Sequence, residues 1–162
     1  MVILVMGVSG AGKTVVGRAL AGNLGWTFID GDDLHPPGNI EKMRSGQALT
    51  DEDRQPWLAK LHAAVVDVLS RGQSAVVACS ILTRDYRRTV RRGVEEQVRV
   101  VYLRGSEVLF RDRLDRRTAH FMGPDLLASQ LALLEEPIDA LVVDAALPPE
   151  RLIRLIRASL GL

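Results

Sequence analysis

An α/β fold, with a mostly parallel sheet covered on both faces, is predicted by two features of the chain. Five short apolar runs rich in Val and Ile recur at 2–6, 26–30, 74–80, 98–103 and 140–145, and helical patterns separate them. Strands buried on both faces are apolar at nearly every position, whereas a sheet with one wet face would alternate. Strand and helix in turn imply crossovers that lay helices over both sides of the sheet. At 162 residues the chain reads as one domain over 1–162, long enough for a proper core but not for a second one.

The first run, Val2 to Met6, leads straight into Gly7-Val8-Ser9-Gly10-Ala11-Gly12-Lys13-Thr14, which satisfies every fixed position of the pattern G-x-x-x-x-G-K-[ST]. A helix-like stretch from Val15 to Leu24 follows. Glycines let the backbone curl so that successive N–H groups point inward around a phosphate, and the following helix turns its positive end to the same anion. Lys13 then reaches the β- and γ-phosphates, and the Thr14 hydroxyl serves as a Mg²⁺ ligand. The segment Gly7 to Thr14 is thus expected to bind a nucleoside triphosphate.

The later elements follow from spacing. Trp57, Leu58, Leu61, Val65, Val68 and Leu69 recur at helical intervals, predicting a helix from about Asp53 to Ser70. Pro56 fits there if Asp53 caps the helix and the proline lies in its first turn. A helix is expected from about Ser106 into an arginine-rich stretch, another from near Asp125 to before Pro137, and a last one from near Pro149 to Gly161. The segments 31–50 and 117–124 fit no regular element. In open α/β sheets ligands sit outside the carboxyl ends of strands, so 31–50, which follows the second strand there, is expected to line a site.

Composition narrows the partners. A formal net charge of +1, with 47% hydrophobic and 25% charged residues, calls for neither nucleic acid nor an anionic membrane. Cys79 is the one cysteine, which excludes an intramolecular disulfide and a cysteine-rich metal site. No apolar stretch reaches the length of a membrane span, and the phosphate loop begins too early for a signal peptide. A cytoplasmic enzyme is expected.

Side chains alternate along a strand, so in Phe28-Ile-Asp30-Gly-Asp32-Asp33 the carboxylates of Asp30 and Asp32 are expected to point the same way. Beside a phosphate loop they would repel unless a cation or a substrate proton lay between them. One is expected to support Mg²⁺ through its waters, the other to take the proton of a substrate hydroxyl. Gly31, lacking a side chain, is read as room for a ligand. His35 stands between two readings, a structural hydrogen bonder and a site residue. Lys42, Arg44 and Arg54 cluster in the connection over the expected acceptor site and suit a carboxylate-bearing substrate; the planar fork of Arg54 suits it best. Cys79 reads as a buried thiol, because phosphoryl transfer needs no thiol nucleophile. Of the arginines 84, 87, 88, 91 and 92, most read as a solvated face, with Arg87 near enough to the third strand to reach the site. Arg113 and Arg117 lie one helical turn apart before the irregular segment, which suggests a lid over about 113–124 bringing positive charge to the transferred phosphoryl group.

These stretches together resemble the gluconokinases of the shikimate-kinase-like group of P-loop kinases. The resemblance rests on Met6 to Thr14, Asp30-Gly-Asp-Asp-Leu-His-Pro37, Asn39-Ile-Glu-Lys-Met43, Asp51-Glu-Asp-Arg54 with Pro56-Trp-Leu58, Cys79-Ser80, Tyr86-Arg87, His120-Phe-Met122 and Ser129-Gln130 with Glu136-Pro137. It implies a three-layer P-loop kinase fold with strand order 2-3-1-4-5, ATP and Mg²⁺ as cofactors, and transfer to the 6-hydroxyl of D-gluconate. It further implies that Lys13, Asp32 and Arg117 carry catalysis, that Arg113 and Arg117 approach the nucleotide, and that Thr14 and Asp30 serve the metal. The acceptor set it implies is Asp32, His35, Lys42, Arg54, Ser80, Arg87, His120 and Gln130, with the acceptor segment at about 31–58. Relatives of this kind are commonly homodimers. The chain departs from the usual pattern at Thr83, Ala119 and Gly123, where the family has lysine, glycine and proline. Two alternatives stand beside this reading: a kinase for another small hydroxy acid such as shikimate, and a nucleotide-dependent switch. The guanine-recognition sequence N-K-x-D of the common switches is absent from the chain.

Overall fold

The computed structural model describes residues 1–116 and 124–162. Among them β1 (Val2–Met6), β2 (Thr27–Asp30), β3 (Ala75–Cys79), β4 (Val98–Arg104) and β5 (Leu141–Asp144) form one sheet in the order β2-β3-β1-β4-β5. Every pairing is parallel. The helices are α1 (Lys13–Leu24), α2 (Pro37–Arg44), α3 (Asp51–Ser70), α4 (Arg84–Arg91), α5 (Glu107–Asp115), α6 (Pro124–Leu133) and α7 (Pro149–Leu160).

The sheet's continuous apolarity has the expected cause. Ile3 and Val5 of β1 turn to one face, where they join Val16 and Leu20 of α1 and Leu152 and Ile156 of α7. Val2, Leu4 and Met6 turn to the other, where Trp57, Leu61 and Val65 of α3 meet Tyr86 and Val90 of α4. All five β1 residues are fully buried, so neither face leaves a place for a polar side chain. This is the three-layer arrangement and strand order that the resemblance implied.

Three local expectations are corrected. The long helix begins at Asp51, capped by Thr50 in a capping box with Asp53 at its third position, so Asp53 is not the cap. Pro56 accordingly sits beyond the first turn, where its ring removes one helical hydrogen bond. Segment 31–50 is also more regular than expected: Gly31–Leu34 forms a 3₁₀ turn and Pro37–Arg44 a helix. The Pro-Pro-Gly run looks like a loop, yet Pro37 at the first helical position needs no N–H there and has its φ already set. Residue 124 opens α6 rather than closing an irregular segment. Among the described residues no helix is long and apolar enough to cross a membrane.

Candidate active site

The loop between β1 and α1 curls as its sequence requires. Gly10 and Gly12 adopt φ of +83° and +95°, conformations that side chains disfavour. A Cβ at Gly10 would also stand 2.7 Å from the Phe110 carbonyl oxygen. α1 starts at Lys13 with no side chain capping it, so its leading N–H groups face the loop's hollow. Lys13 Nζ folds back over the loop and donates to the Val8 carbonyl at 3.1 Å. Arg113 of α5 clasps the loop from the other side, with Nη1 3.3 Å from the Ala11 oxygen and Nη2 2.7 Å from the Ala145 oxygen. Beside this clasp is a cavity of about 340 Å³, walled by Val15, Val16, Leu147 and Pro149.

At the carboxyl end of β2, the Thr14 hydroxyl donates to Asp30 Oδ2 at 3.0 Å, and Asp30 Oδ1 accepts the Asp32 N–H at 3.2 Å. Asp32 therefore reaches the site through a tight turn and not through strand alternation, because the chain leaves the extended state at Gly31. The reading of Gly31 as room for a ligand is also corrected. A Cβ there would lie 2.7 Å from the Ala78 oxygen and 2.9 Å from the Cys79 Cβ, so the space belongs to β3.

A second, narrower cavity of about 40 Å³ lies on the Asp32 side of the loop. Asp32, His35, Arg54, Ser80, Ser129 and Gln130 supply its polar lining, and Met43, Leu49, Trp57, Leu82 and Leu126 much of its apolar wall. Gln130 Oε1 accepts the Ser9 N–H at 2.6 Å, tying α6 to the phosphate loop. Arg54 Nη1 donates to the Tyr86 hydroxyl at 3.3 Å, and that hydroxyl donates to Asp51. Burial and the adjoining Asp51 raise the Tyr86 phenol to about 12, so it remains protonated and able to donate. His35 is buried and stacked on Trp57, and burial followed by the Arg54 charge lowers it to about 4. Ser80 Oγ is buried with no hydrogen-bond partner among the described residues. In a cavity wall, such a group is ready for an incoming polar atom.

Lys42 and Arg87 do not join the cavity lining. The Lys42 ammonium is held by both oxygens of Asp53, at 2.8 and 2.9 Å, bracing α2 against the start of α3. That contact, with the Thr50 N–H, lowers the Asp53 carboxyl to about 2. Arg87 is buried with Nη1 on the Ile81 and Leu82 carbonyls at 3.3 and 2.9 Å, so its charge secures the chain after β3. Cys79 is inert as expected: burial pushes its thiol up to about 12. Thr83, where the family has lysine, accepts the Tyr86 N–H and caps α4. Arg117, His120, Ala119 and Gly123 lie outside the described residues. Asn39, Tyr86, Trp57 and Asp51 escaped the sequence reading as site residues.

A glycine-rich loop with its lysine and a Thr–Asp pair, set beside a small polar cavity at the carboxyl ends of a 2-3-1-4-5 parallel sheet, defines a P-loop small-molecule kinase. Residues 2–137 match a family model described as an AAA domain. The chain is 50% identical over 137 residues to a gluconokinase of Gluconobacter oxydans, covering 85% of this chain and 76% of the relative. It is 43% identical over 134 residues to the thermosensitive gluconokinase of Escherichia coli, covering 83% and 71%. Among solved structures, a gluconokinase from Sinorhizobium meliloti 1021 aligns with a TM-score of 0.85 at 44% identity, over 98% of this chain and 90% of that one. The chain belongs to the gluconokinase family and is a kinase.

Proposed function

We propose that the enzyme transfers the γ-phosphoryl group of ATP to the 6-hydroxyl of D-gluconate, giving 6-phospho-D-gluconate. The observation that carries this is the pairing of a carboxylate, Asp32, with an anchored guanidinium, Arg54, in one small cavity next to the phosphate loop. The N–H groups of residues 10–14 and the Lys13 ammonium hold the β- and γ-phosphates. Asp32 accepts the hydroxyl proton as the new P–O bond forms. Arg54 takes the far carboxylate with two parallel bonds, which orients the sugar acid with its other end toward the loop. Ser80 and Gln130 complete the acceptor lining, and Arg113 bears on the nucleotide from the α5 side; Arg117 is the second arginine assigned to the nucleotide.

The hard oxygens of Thr14 and Asp30, already 3.0 Å apart, fit Mg²⁺, with Asp30 acting through water. No cluster of three or more metal-binding side chains exists among the described residues, in keeping with an ion held largely by phosphates and water. Bound there, it would neutralise charge on the phosphate oxygens.

The test is ADP release with ATP and Mg²⁺ against gluconate, other sugar acids, shikimate and a neutral polyol of gluconate's length. Gluconate should be the best acceptor. Faster turnover of shikimate would move the assignment to another hydroxy acid, and ATP hydrolysis indifferent to every acceptor would favour a switch.

A further inference from the structure

Asn39, in the first turn of α2, is 6% exposed. Its side-chain nitrogen lies 2.8 Å from the Asp53 carbonyl oxygen and 3.3 Å from Nδ1 of His35. A carbonyl oxygen can only accept, so the Asn39 atom facing it must be the NH₂ group. The second hydrogen of that group falls to His35 Nδ1, which is therefore the bare nitrogen of the ring. The single proton of the neutral imidazole then sits on Nε2. Turning the ring over about its Cβ–Cγ bond would set the Cδ2–H against the Asn39 NH₂ group and lose this hydrogen bond, so the contact fixes which edge faces Asn39. The ring stacks on Trp57 with centroids 4.6 Å apart and planes 8° from parallel, and Trp57 is pinned by its Nε1–H to the Gly31 oxygen at 2.8 Å.

His35 lines the cavity that also holds Asp32, Arg54 and Ser80. With Nδ1 turned to Asn39, the edge carrying Nε2–H is the one left for a ligand. Burial, and after it the nearby Arg54 charge, oppose a second proton on the ring. The Asp53 carboxylate, which would favour one, is engaged by Lys42 and the Thr50 N–H.

We propose that Asn39 is a positioning residue that makes His35 a standing hydrogen-bond donor, through Nε2–H to a hydroxyl oxygen of the sugar acid, and bars it from accepting the reacting proton. The hydroxyl half of this rests on the sugar-acid reading of the pocket; the tautomer half does not. A neutral donor beside Arg54 separates two tasks in one pocket. The guanidinium takes the carboxylate, and the imidazole reads a neutral oxygen without competing for it.

The experiment uses the full chain labelled with ¹⁵N-histidine at pH 7, with His62 and His120 assigned by substitution. The His35 signals should show Nε2 protonated and Nδ1 bare. Asn39→Asp places an acceptor opposite Nδ1 and should move the proton there. In that variant the gluconate KM should rise about three- to tenfold, the worth of one hydrogen bond, with the ATP KM unchanged. His35→Leu should raise the gluconate KM similarly, and His35→Gln, whose amide can still donate, should restore most of it. A parent spectrum with the proton on Nδ1, or on both nitrogens, would overturn the proposal without any variant. So would a gluconate KM equal in His35→Leu and the parent, or unchanged in a folded Asn39→Asp with an inverted ring. Failure of the sugar-acid reading shows up separately, as a parent enzyme that releases no ADP with gluconate while the His35 spectrum stands.

Discussion

Arg54→Lys keeps the positive charge in the acceptor cavity and removes only its shape. In the structure the guanidinium is anchored by Nη1, 3.3 Å from the Tyr86 hydroxyl and 3.8 Å from Asp51 Oδ1, with its carbon 5.7 Å from the centre of the Tyr86 ring. The side chain is 16% exposed, so water competes little for its remaining donors. Those donors form the edge that can meet a carboxylate with two parallel bonds. A lysine ammonium is a compact charge on a flexible stem. It can serve the Tyr86 hydroxyl or the substrate, but it cannot span both with a rigid fork. One hydrogen bond to a charged group is thereby lost, worth roughly 1.5–3 kcal/mol, or about a ten- to hundredfold rise in the gluconate KM. The ATP KM should hold within about twofold, since Arg54 lies outside the phosphate loop. The assay is steady-state ADP release with gluconate and with a neutral polyol of the same length. The polyol should be a poor substrate of the parent and indifferent to the substitution. Equal use of gluconate and polyol by the parent, or an unchanged gluconate KM in Arg54→Lys, would refute the carboxylate role.

Lys13→Ala should lower turnover at least about a hundredfold with little change in the melting temperature, because its ammonium meets a loop carbonyl and not the core. Near-normal turnover in that variant would sink the ATP-site reading. Asp32→Asn should depress kcat far more than ATP affinity, since an amide cannot take the hydroxyl proton; if Asp30→Asn abolished turnover while Asp32→Asn spared it, the two roles would be reversed. Gly31→Ala forces a methyl group against the Ala78 oxygen at 2.7 Å, so urea unfolding should show a loss of about 1–3 kcal/mol. An unaltered midpoint would mean that the turn shifts freely. His35 is held near 4 in the folded chain against about 6.5 when unfolded, so between those values the unfolded state binds the extra proton. Stability should therefore fall as pH is lowered from about 6.5 to about 4, and His35→Gln should flatten that slope. The Asp53 contribution is lost only lower, as pH falls below the ordinary carboxylate value toward about 2.

The capping box at Thr50 and Asp53 shows one limit of reading along the chain. Both residues stand in the sequence, but Asp53 can cap a helix or back-bond to a cap, and which it does depends on where the chain enters. Gly31 shows another. A missing side chain says that something comes close, and only the fold says whether that is a ligand or the neighbouring strand. Lys42 and Arg87 were reasonable candidates by charge and position. The structure gives each a protein partner outside the cavity lining, the Asp53 carboxylate in one case and a pair of local carbonyls in the other.

By itself the sequence determined the parallel sheet, because burial on both faces leaves continuous apolar runs that little else explains. It also determined the phosphate loop, because left-handed glycines, an invading lysine and a hydroxyl must occur at set spacing within eight residues. Both are signals of local pattern, the loop complete within one segment and the sheet written as the same short run repeated along the chain. The acceptor cavity is not of that kind. Asp32, His35 and Arg54 come from the region after β2, Ser80 from the end of β3 and Gln130 from α6, and they meet only because the crossovers return each strand's carboxyl end to one edge of the sheet. Tertiary structure alone decided which cation faces that cavity and which is tied to a carboxylate. It also decided which nitrogen of His35 carries the proton, since that follows from a carbonyl fourteen residues away from Asn39, and hydrogen-bond partners at such range leave no periodic trace in the chain.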